Sequence, residues 1–174
     1  MLRITPSECN QDGVIQQLIE AASAKLEDDT QISLLTQSFR YRLRKFLSCV
    51  ILPRPPLVSV ESVKYIDADG AEQTVDPATY RVYPDSYPGI VAIAPDQAWP
   101  TDVEPSYLPV SIEYTAGYAT RGEVRKQATQ ALMLLVGHWY EHRIDAETFN
   151  LNTIPNGYEQ LSGQLKTGEY SRVT

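Results

Sequence analysis

The residues most able to do chemistry lie in the sequence GHWYEH, residues 137–142, where His138, Glu141 and His142 follow the order H-x-x-E-H. Side chains three and four positions apart share one face of a helix. An inverted zinc-peptidase motif presents two zinc-binding histidines and a catalytic glutamate in this order. The pattern therefore raises the hypothesis of a zinc-dependent hydrolase.

The same motif also has a purely structural interpretation. It falls in the last predicted turn of its helix, where histidine and Arg143 suit the negative end of the helix dipole without a metal. A hydrolytic zinc site also needs a third protein ligand. The downstream candidates for that ligand are Glu147, Glu159 and Glu169. Three fixed positions arise often by chance, so we predict no enzymatic activity, no catalytic residue, no metal and no cofactor, with Trp139 and Tyr140 anchored in the core.

The sequence DADG, residues 67–70, invites a calcium interpretation. Aligned to the EF-hand loop, however, its first ligand position would be Tyr65 and its twelfth Asp76, so one ligand and the bidentate glutamate are missing. Glycine at the end of a short polar run between two apolar runs is typical of a hairpin turn. We therefore predict a hairpin here.

Three arginines alternate with apolar residues in the sequence FRYRLRKF. Alternation of period two predicts a strand with one buried and one exposed face, and it places Arg40, Arg42 and Arg44 on the exposed face. Such a stripe could contact an acidic partner or a phosphate backbone. The alternative, which we favour, is a solvated strand face with carboxylates such as Glu61 or Glu113 on neighbouring strands.

Composition limits the remaining classes of function. The chain has 174 residues, of which 43% are hydrophobic and 21% charged, and its net charge is −7. The negative charge argues against non-specific nucleic-acid binding. Two cysteines, Cys9 and Cys49, do not form a disulfide framework, and no apolar run approaches the length of a membrane span. The sequence thus predicts a protein made in the cytoplasm, without a membrane segment.

The predicted fold is α+β, in a single domain spanning residues 1–174. Helical parts at 1–30 and 119–174 enclose an inserted antiparallel β-hairpin and sheet region at 31–118, and together the helices form a small bundle. A capping box at residues 5–8 and an amphipathic helix over about 12–27 open the chain. The acidic run that follows is a poor helix C-terminus.

A long helix is predicted over about residues 121–143, opened by a capping box at 120–123. Its sequence ALMLLV, residues 131–136, is apolar all the way round, which predicts burial on every side, in a large core or at a subunit contact. The candidate interface or core residues are Leu132, Leu135, Val136, Trp139 and Tyr140. The last segment, YEQLSGQLKTGEY, predicts a short, weak helix that needs a partner to order it.

Four segments in order carry a resemblance to a known family: ILPRPPLVSVESVKYIDADGAEQTVDPATYRVY, QAWP, VSIEYTAGY and QALMLLVGHWYEHR. Together they resemble the tailed-phage head–tail connector proteins, also called adaptor or head-completion proteins and often described as possible DNA-packaging proteins. In similar proteins the GHWYE segment belongs to a structural helix. The resemblance therefore favours the structural interpretation of the motif over zinc chemistry.

The resemblance implies a structural protein in the neck of a virion. Such proteins form a ring, a dodecamer, that joins the portal protein of the filled head to head-closure or tail proteins and extends the DNA channel. DNA would pass along the channel without sequence-specific binding. The resemblance also implies that the C-terminal segment contacts the portal, and the candidate residues are Tyr158, Leu161, Leu165 and Tyr170. The alternatives are a tail-completion protein and the zinc hydrolase.

Overall fold

The computed structural model describes residues 12–105, 107–142 and 154–166. Helices and antiparallel sheets are both present, so the predicted α+β class is confirmed. The contacts divide the chain into two compact units. The helical unit comprises the described residues up to Gln31 and from Val124 onward, and the β unit comprises residues 32–123. The boundaries lie within a few residues of the predicted β region, while the single domain stays a prediction.

Helix α1, Asp12–Thr30, extends three residues past its predicted end. Its buried side chains recur every fourth residue and comprise Leu18, Ala22, Leu26 and Thr30. Within the acidic run, Asp29 forms an ion pair with Lys25 at 3.1 Å, one turn earlier. That pair offsets the unfavourable charge at the C-terminus. The helix ends where Gln31 adopts a left-handed backbone with φ of 56°.

Helix α2, Lys126–His142, begins five residues later than predicted. Residues 120–123 form a turn instead of the first turn of the helix, with the N–H of Glu123 donating to the Thr120 carbonyl at 3.2 Å. The Glu123 carboxylate accepts from the N–H of Ala119 at 3.2 Å. The acidic side chain thus satisfies a backbone donor outside the helix, which the sequence pattern alone does not distinguish from a capping box.

Helix α3, Asn156–Leu165, packs within the helical unit against α1 and α2. This weak helix was expected to need a partner to order it, and over the described residues it packs against other helices of its own chain. Tyr158 is 1% exposed, and its hydroxyl donates to Asp29 Oδ2 of α1 at 2.7 Å. Burial, with the carboxylate alongside, raises the pKa of Tyr158, so the hydroxyl keeps its proton.

The β unit contains two antiparallel sheets. The strands are β1 (Gln37–Leu43), β2 (Cys49–Ile51), β3 (Leu57–Ile66), β4 (Glu72–Thr74), β5 (Tyr80–Tyr83), β6 (Ile90–Ile93) and β7 (Val110–Ala116). The order is β1-β7-β3-β4 in the four-stranded sheet and β2-β6-β5 in the three-stranded sheet. Burial alternates along β7, so one face of the larger sheet is in the core and the other is accessible.

The core of the β unit draws apolar side chains from both sheets, including Val63 and Ile112 of the larger and Val91 of the smaller. Tyr114 is buried among them, and its hydroxyl donates to the Pro53 carbonyl at 2.9 Å. Burial raises the pKa of Tyr114 to about 12. Close packing also fixes Gly117, whose φ is +116° and where a Cβ would lie 2.2 Å from the Leu35 carbonyl oxygen.

The DADG sequence forms the predicted turn between β3 and β4. Asp67 Oδ1 accepts the backbone N–H groups of Asp69 and Ala71 at 3.1 and 2.8 Å, and Oδ2 accepts Gln73 Nε2 at 2.7 Å. These hydrogen bonds lower the pKa of Asp67, with that from Gln73 contributing most. Gly70 takes the positive φ, 81°, as expected. The carboxylate is thus used to close the turn.

Several sequence predictions fall outside the described residues. They are the capping box at 5–8, Cys9, Arg143, Glu147, Glu169 and Tyr170. Cys49 is exposed and has a free thiol. Across the ranges described, none of the helices is both long enough and apolar enough to span a membrane.

Candidate functional site

The HWYEH motif occupies the end of α2, as predicted, but its residues face different environments. Trp139 is 4% exposed and belongs to the core, His138 is half-buried and Glu141 is exposed. The side chain of His142 lies outside the described residues. Among the described parts of the chain, no group of three or more His, Cys, Asp or Glu side chains is arranged to hold a metal ion. The geometry thus gives the motif a packing role through Trp139.

Helix α2 has one buried face. The buried side chains are Ala128, Ala131, Leu135 and Trp139, at helical spacings of three and four. Because this face is continuous over three turns, it sets the orientation of the whole helix in its unit. The expectation that the ALMLLV segment is buried on every side is therefore wrong for the isolated chain.

The opposite side of α2 carries apolar residues that the described part of the chain covers only in part. Met133 is 69% exposed, Val136 and Tyr140 are half-buried, and Gly137 is exposed. These four residues, spaced three, four and seven apart, share one side of the helix and are called here the α2 stripe. A Cβ added at Gly137 would meet no atom within 4 Å. The α2 stripe therefore presents a shallow apolar surface.

The five residues predicted as interface or core divide between these two faces. Leu135 and Trp139 are core residues, whereas Leu132, Val136 and Tyr140 are half-buried. Met133, the most exposed of the apolar residues on α2, was missed. When every residue of a helical run is apolar, the sequence does not show which side of the helix faces the core. Only Ala128 and Ala131, continued to Leu135, indicate that side. An interface role for any of them stays a prediction.

A ladder of opposite charges crosses the outer face of the four-stranded sheet. Arg40 Nε of β1 donates to Glu113 Oε1 of β7 at 3.0 Å. Glu113 Oε2 lies 3.2 Å from Lys64 Nζ of β3, which lies 3.4 Å from Glu72 Oε1 of β4. These four side chains, Arg40, Glu113, Lys64 and Glu72, lie one on each strand in the spatial order of the sheet. We call them the charge ladder. Glu113, foreseen as a possible partner of the arginine stripe, is its centre.

Glu113 accepts hydrogen bonds from the cations on both sides of it in the charge ladder. Hydrogen bonds from Arg40, Lys64 and Ser62, in decreasing order of effect, lower the pKa of Glu113 to about 2. The hydrogen bond to Glu113 in turn raises the pKa of Lys64. Glu61, the other foreseen carboxylate, accepts instead from Thr115 and from Ser59. Each charged side chain of the ladder therefore has an oppositely charged side chain beside it.

The other two arginines of the predicted stripe lie apart from the ladder. Arg42 is exposed and opposite Ser111 in the β1–β7 register. The Arg44 guanidinium lies over the Tyr107 ring, 5.2 Å from its centroid, and Tyr107 is itself exposed. The geometry thus separates Arg40, which is paired within the sheet, from Arg42 and Arg44, which face solvent.

The predicted portal-contacting residues also divide. Tyr158 and Leu165 are buried in the helical unit, Leu161 is half-buried, and Tyr170 lies outside the described residues. Burial of the first two removes them from direct contact with another chain in this conformation. Their contacts hold α3 in place, and Leu161 is the described member of the set with accessible surface.

Comparison with known proteins gives matches among solved structures. No protein-family model matches the chain, and neither does any curated protein. A chain in the neck of an empty gene transfer agent (GTA) particle, computed with C6 symmetry, matches with a TM-score of 0.73 and 25% identity, over 100% of this chain and 85% of that chain.

Two further matches come from native GTA particles. A chain of the virion matches with a TM-score of 0.71 and 27% identity, over 94% of this chain and 80% of that chain. A chain of the neck computed with C12 symmetry matches with a TM-score of 0.69 and 25% identity, over 99% and 95%. These phage-like neck chains confirm the resemblance to head–tail connector proteins that the sequence motifs predicted.

Proposed function

We propose that this chain, a structural neck protein of a phage-like virion, forms a ring that joins the portal of the filled head to head-closure or tail proteins and extends the DNA channel. The observation that carries the proposal is the likeness, over the whole chain, to neck chains in particles computed with C6 and C12 symmetry. A ring of twelve copies is compatible with both symmetries. In such a ring every copy contacts two neighbours through different surfaces.

The surface of the helical unit supports an assembling protein. Met133 and Leu134 are large apolar side chains exposed in the middle of α2. An apolar surface that a monomer leaves uncovered is typical of a contact site for another protein. A ring of identical copies provides such contacts.

The charges support a channel along which DNA slides. The net charge of −7 repels phosphate. Arg40, the one arginine of the stripe that lies inside the charge ladder, is already bound to Glu113 and is less available to a phosphate group. Strong phosphate contacts need exposed, unpaired cations in number. DNA would then pass without sequence-specific binding, and Arg42 and Arg44 would at most make weak contacts.

The portal-contacting role of the C-terminal segment is part of the same proposal, in a changed form. Tyr158 and Leu165 would position α3, while Leu161 and Tyr170 would contact the portal. Such a division suits a helix whose buried side chains are held in its own unit and whose accessible side chain binds the partner.

Reconstitution with purified partners tests the proposed function. The chain is mixed separately with the portal protein and with the tail-tube protein of its particle, and complexes are separated by size and imaged. We expect a ring on the portal. Binding to tail-tube protein alone would instead support the tail-completion alternative and would refute the position between portal and tail.

Elemental analysis of the purified protein tests the non-enzymatic part of the proposal. We expect less than one zinc ion per chain, with no change in His138→Ala. Stoichiometric zinc that is lost in His138→Ala would support the hydrolase alternative and refute a purely structural role.

A further inference from the structure

The α2 stripe is an apolar surface that the described part of the chain leaves open. Met133 is its most exposed member, followed along the helix by Val136 and Tyr140. The buried face of α2, through Ala128, Ala131, Leu135 and Trp139, lies on the other side. Packing inside the helical unit therefore uses one side of α2 and leaves the stripe for something else.

The shape of the stripe suits another packed chain rather than a small ligand. Gly137 lies in its middle, and a Cβ there would meet nothing within 4 Å. A glycine between larger side chains forms a shallow groove along the helix, into which the side chains of a second element can fit. Methionine and tyrosine on either side offer large contact areas and are enriched at protein interfaces.

We infer that the α2 stripe is the contact through which one copy of this chain binds the next copy in the ring. This inference rests on the proposed function, since the C12 and C6 symmetries of the similar neck chains place identical neighbours side by side. Rings of more than two subunits have heterologous interfaces. The stripe of one copy therefore packs against a different surface of its neighbour, and two stripes never face each other.

The charge ladder is a less suitable contact surface. Its charges satisfy one another across the strands, and burying them in an interface would cost their remaining hydration. The stripe carries no charge, and covering Met133 and Val136 removes apolar area from water. Of the two outer surfaces described above, the α2 stripe is thus the one that gains from a neighbouring copy.

Cysteine protection on the assembled protein tests the inference. In a background with Cys9→Ser and Cys49→Ser, Met133→Cys is labelled with a maleimide as the free chain and as the ring on the portal protein. We expect rapid labelling of the free chain and labelling at least about tenfold slower in the ring, since an interface excludes solvent. The control, Gln127→Cys, is exposed elsewhere on α2 and keeps its reactivity in the ring.

The outcomes separate the inference from the proposed function. A ring in which the thiol introduced by Met133→Cys stays as reactive as in the free chain overturns the inference and leaves the ring intact. A free chain in which that thiol is already protected also overturns it, because the chain then covers its own stripe. A disulfide that joins the introduced thiols of two copies in the ring would show a stripe-to-stripe contact and overturn the heterologous packing. A parent protein that forms no ring removes both the inference and the proposed function.

A charge substitution gives a second readout. We expect Met133→Asp to raise the concentration needed for half-maximal ring assembly by at least about tenfold, with an unchanged melting temperature of the free chain. Gln127→Glu adds the same charge on the same helix and should assemble like the parent protein. Equal assembly of the two variants would overturn the inference.

Discussion

The outer face of α2 and the outer face of the four-stranded sheet are both accessible to solvent, yet their chemistry is opposite. On the sheet, Arg40, Glu113, Lys64 and Glu72 pair across all four strands. On α2, Met133 is exposed and apolar, and its stripe neighbours Val136 and Tyr140 are half-buried. The sheet face is complete within one chain, because each charge finds a partner there. The α2 stripe, in contrast, leaves apolar area exposed, which a neighbouring copy would cover under the proposed function.

This difference separates two ways in which an exposed surface can be stabilised. A sheet with one wet face keeps it soluble by cross-strand pairs of opposite charge, and such pairs add modest stability each. A helix with apolar residues on two sides buries one of them in its own unit, and we expect the second to serve assembly. We thus expect the outer face of the β unit to be stabilised within one chain. We expect the helical unit to gain stability when neighbouring copies cover the α2 stripe.

Trp139→Ala is expected to have the largest effect, because it removes the core side of α2 and leaves its outer side unchanged. Trp139 is buried, and its Nε1 has no hydrogen-bond partner among the described residues, so its contribution is packing. Loss of a large buried aromatic costs about 3–5 kcal/mol in the free energy of unfolding. Urea denaturation measures this loss. Met133→Ala on the outer side should cost less than about 1 kcal/mol, and equal losses would contradict the two-sided description of α2.

Gly117→Ala should destabilise the β unit next most strongly. The φ of +116° is unfavourable for any residue with a Cβ, and the new methyl group would collide with the Leu35 carbonyl. Strain of this kind costs on the order of 1–3 kcal/mol, which thermal denaturation would show. Gly163→Ala is the matched control, because that glycine lies inside α3 with open space around it. There alanine should stabilise by about 1 kcal/mol, and a change of the same sign in both variants would contradict the assignment.

Tyr158→Phe tests whether the contact between α3 and α1 stabilises the helical unit. The substitution removes the hydroxyl that donates to Asp29 and keeps the buried ring. A hydrogen bond to a charged group contributes about 1.5–3 kcal/mol, and Asp29 retains Lys25 as a partner, so we expect a loss near the lower end. Urea denaturation measures it, with Tyr83→Phe, at an exposed tyrosine of β5, as the control. No loss in Tyr158→Phe would indicate that α3 detaches freely from α1.

Local patterns predicted those parts of the fold in which neighbours in sequence decide the structure. The alternation around Arg40 and Arg42 predicted β1 with its exposed face, and the DADG sequence predicted a turn closed by Gly70. The recurrence of apolar residues at spacings of three and four predicted α1 from its first residue. In each case the period of the apolar residues or the conformational demand of a single residue is visible in a few positions.

Contacts between distant segments could not be predicted in the same way. The Lys64–Glu113 pair depends on the register of β3 against β7, which irregularities shift between Leu57 and Ser59 and again between Val60 and Ser62. The Tyr158–Asp29 hydrogen bond joins helices far apart in the sequence. The phase of α2 was hidden because every residue from 131 to 136 is apolar. The first two features are set by tertiary packing and no local pattern records them, whereas for the phase of α2 only Ala128 and Ala131, continued to Leu135, gave a local sign.

Glu113→Gln should give the smallest effect and the sharpest test of the sheet face. The folded pKa of Glu113, about 2, lies below its ordinary value of 4.5. Its ionised form therefore stabilises the fold above pH 4.5, and this contribution is lost as the pH falls from 4.5 towards 2. We expect the melting temperature of Glu113→Gln to lie below that of the parent protein at about pH 7 and the two to converge near pH 2. Glu72→Gln, at the exposed end of the ladder, removes a single ion pair and should lower the melting temperature at neutral pH by less than Glu113→Gln. A difference in melting temperature between Glu113→Gln and the parent protein that stays constant over this pH range would show that the charge ladder does not stabilise the sheet. The contrast between the sheet face and the outer face of α2 would then be wrong.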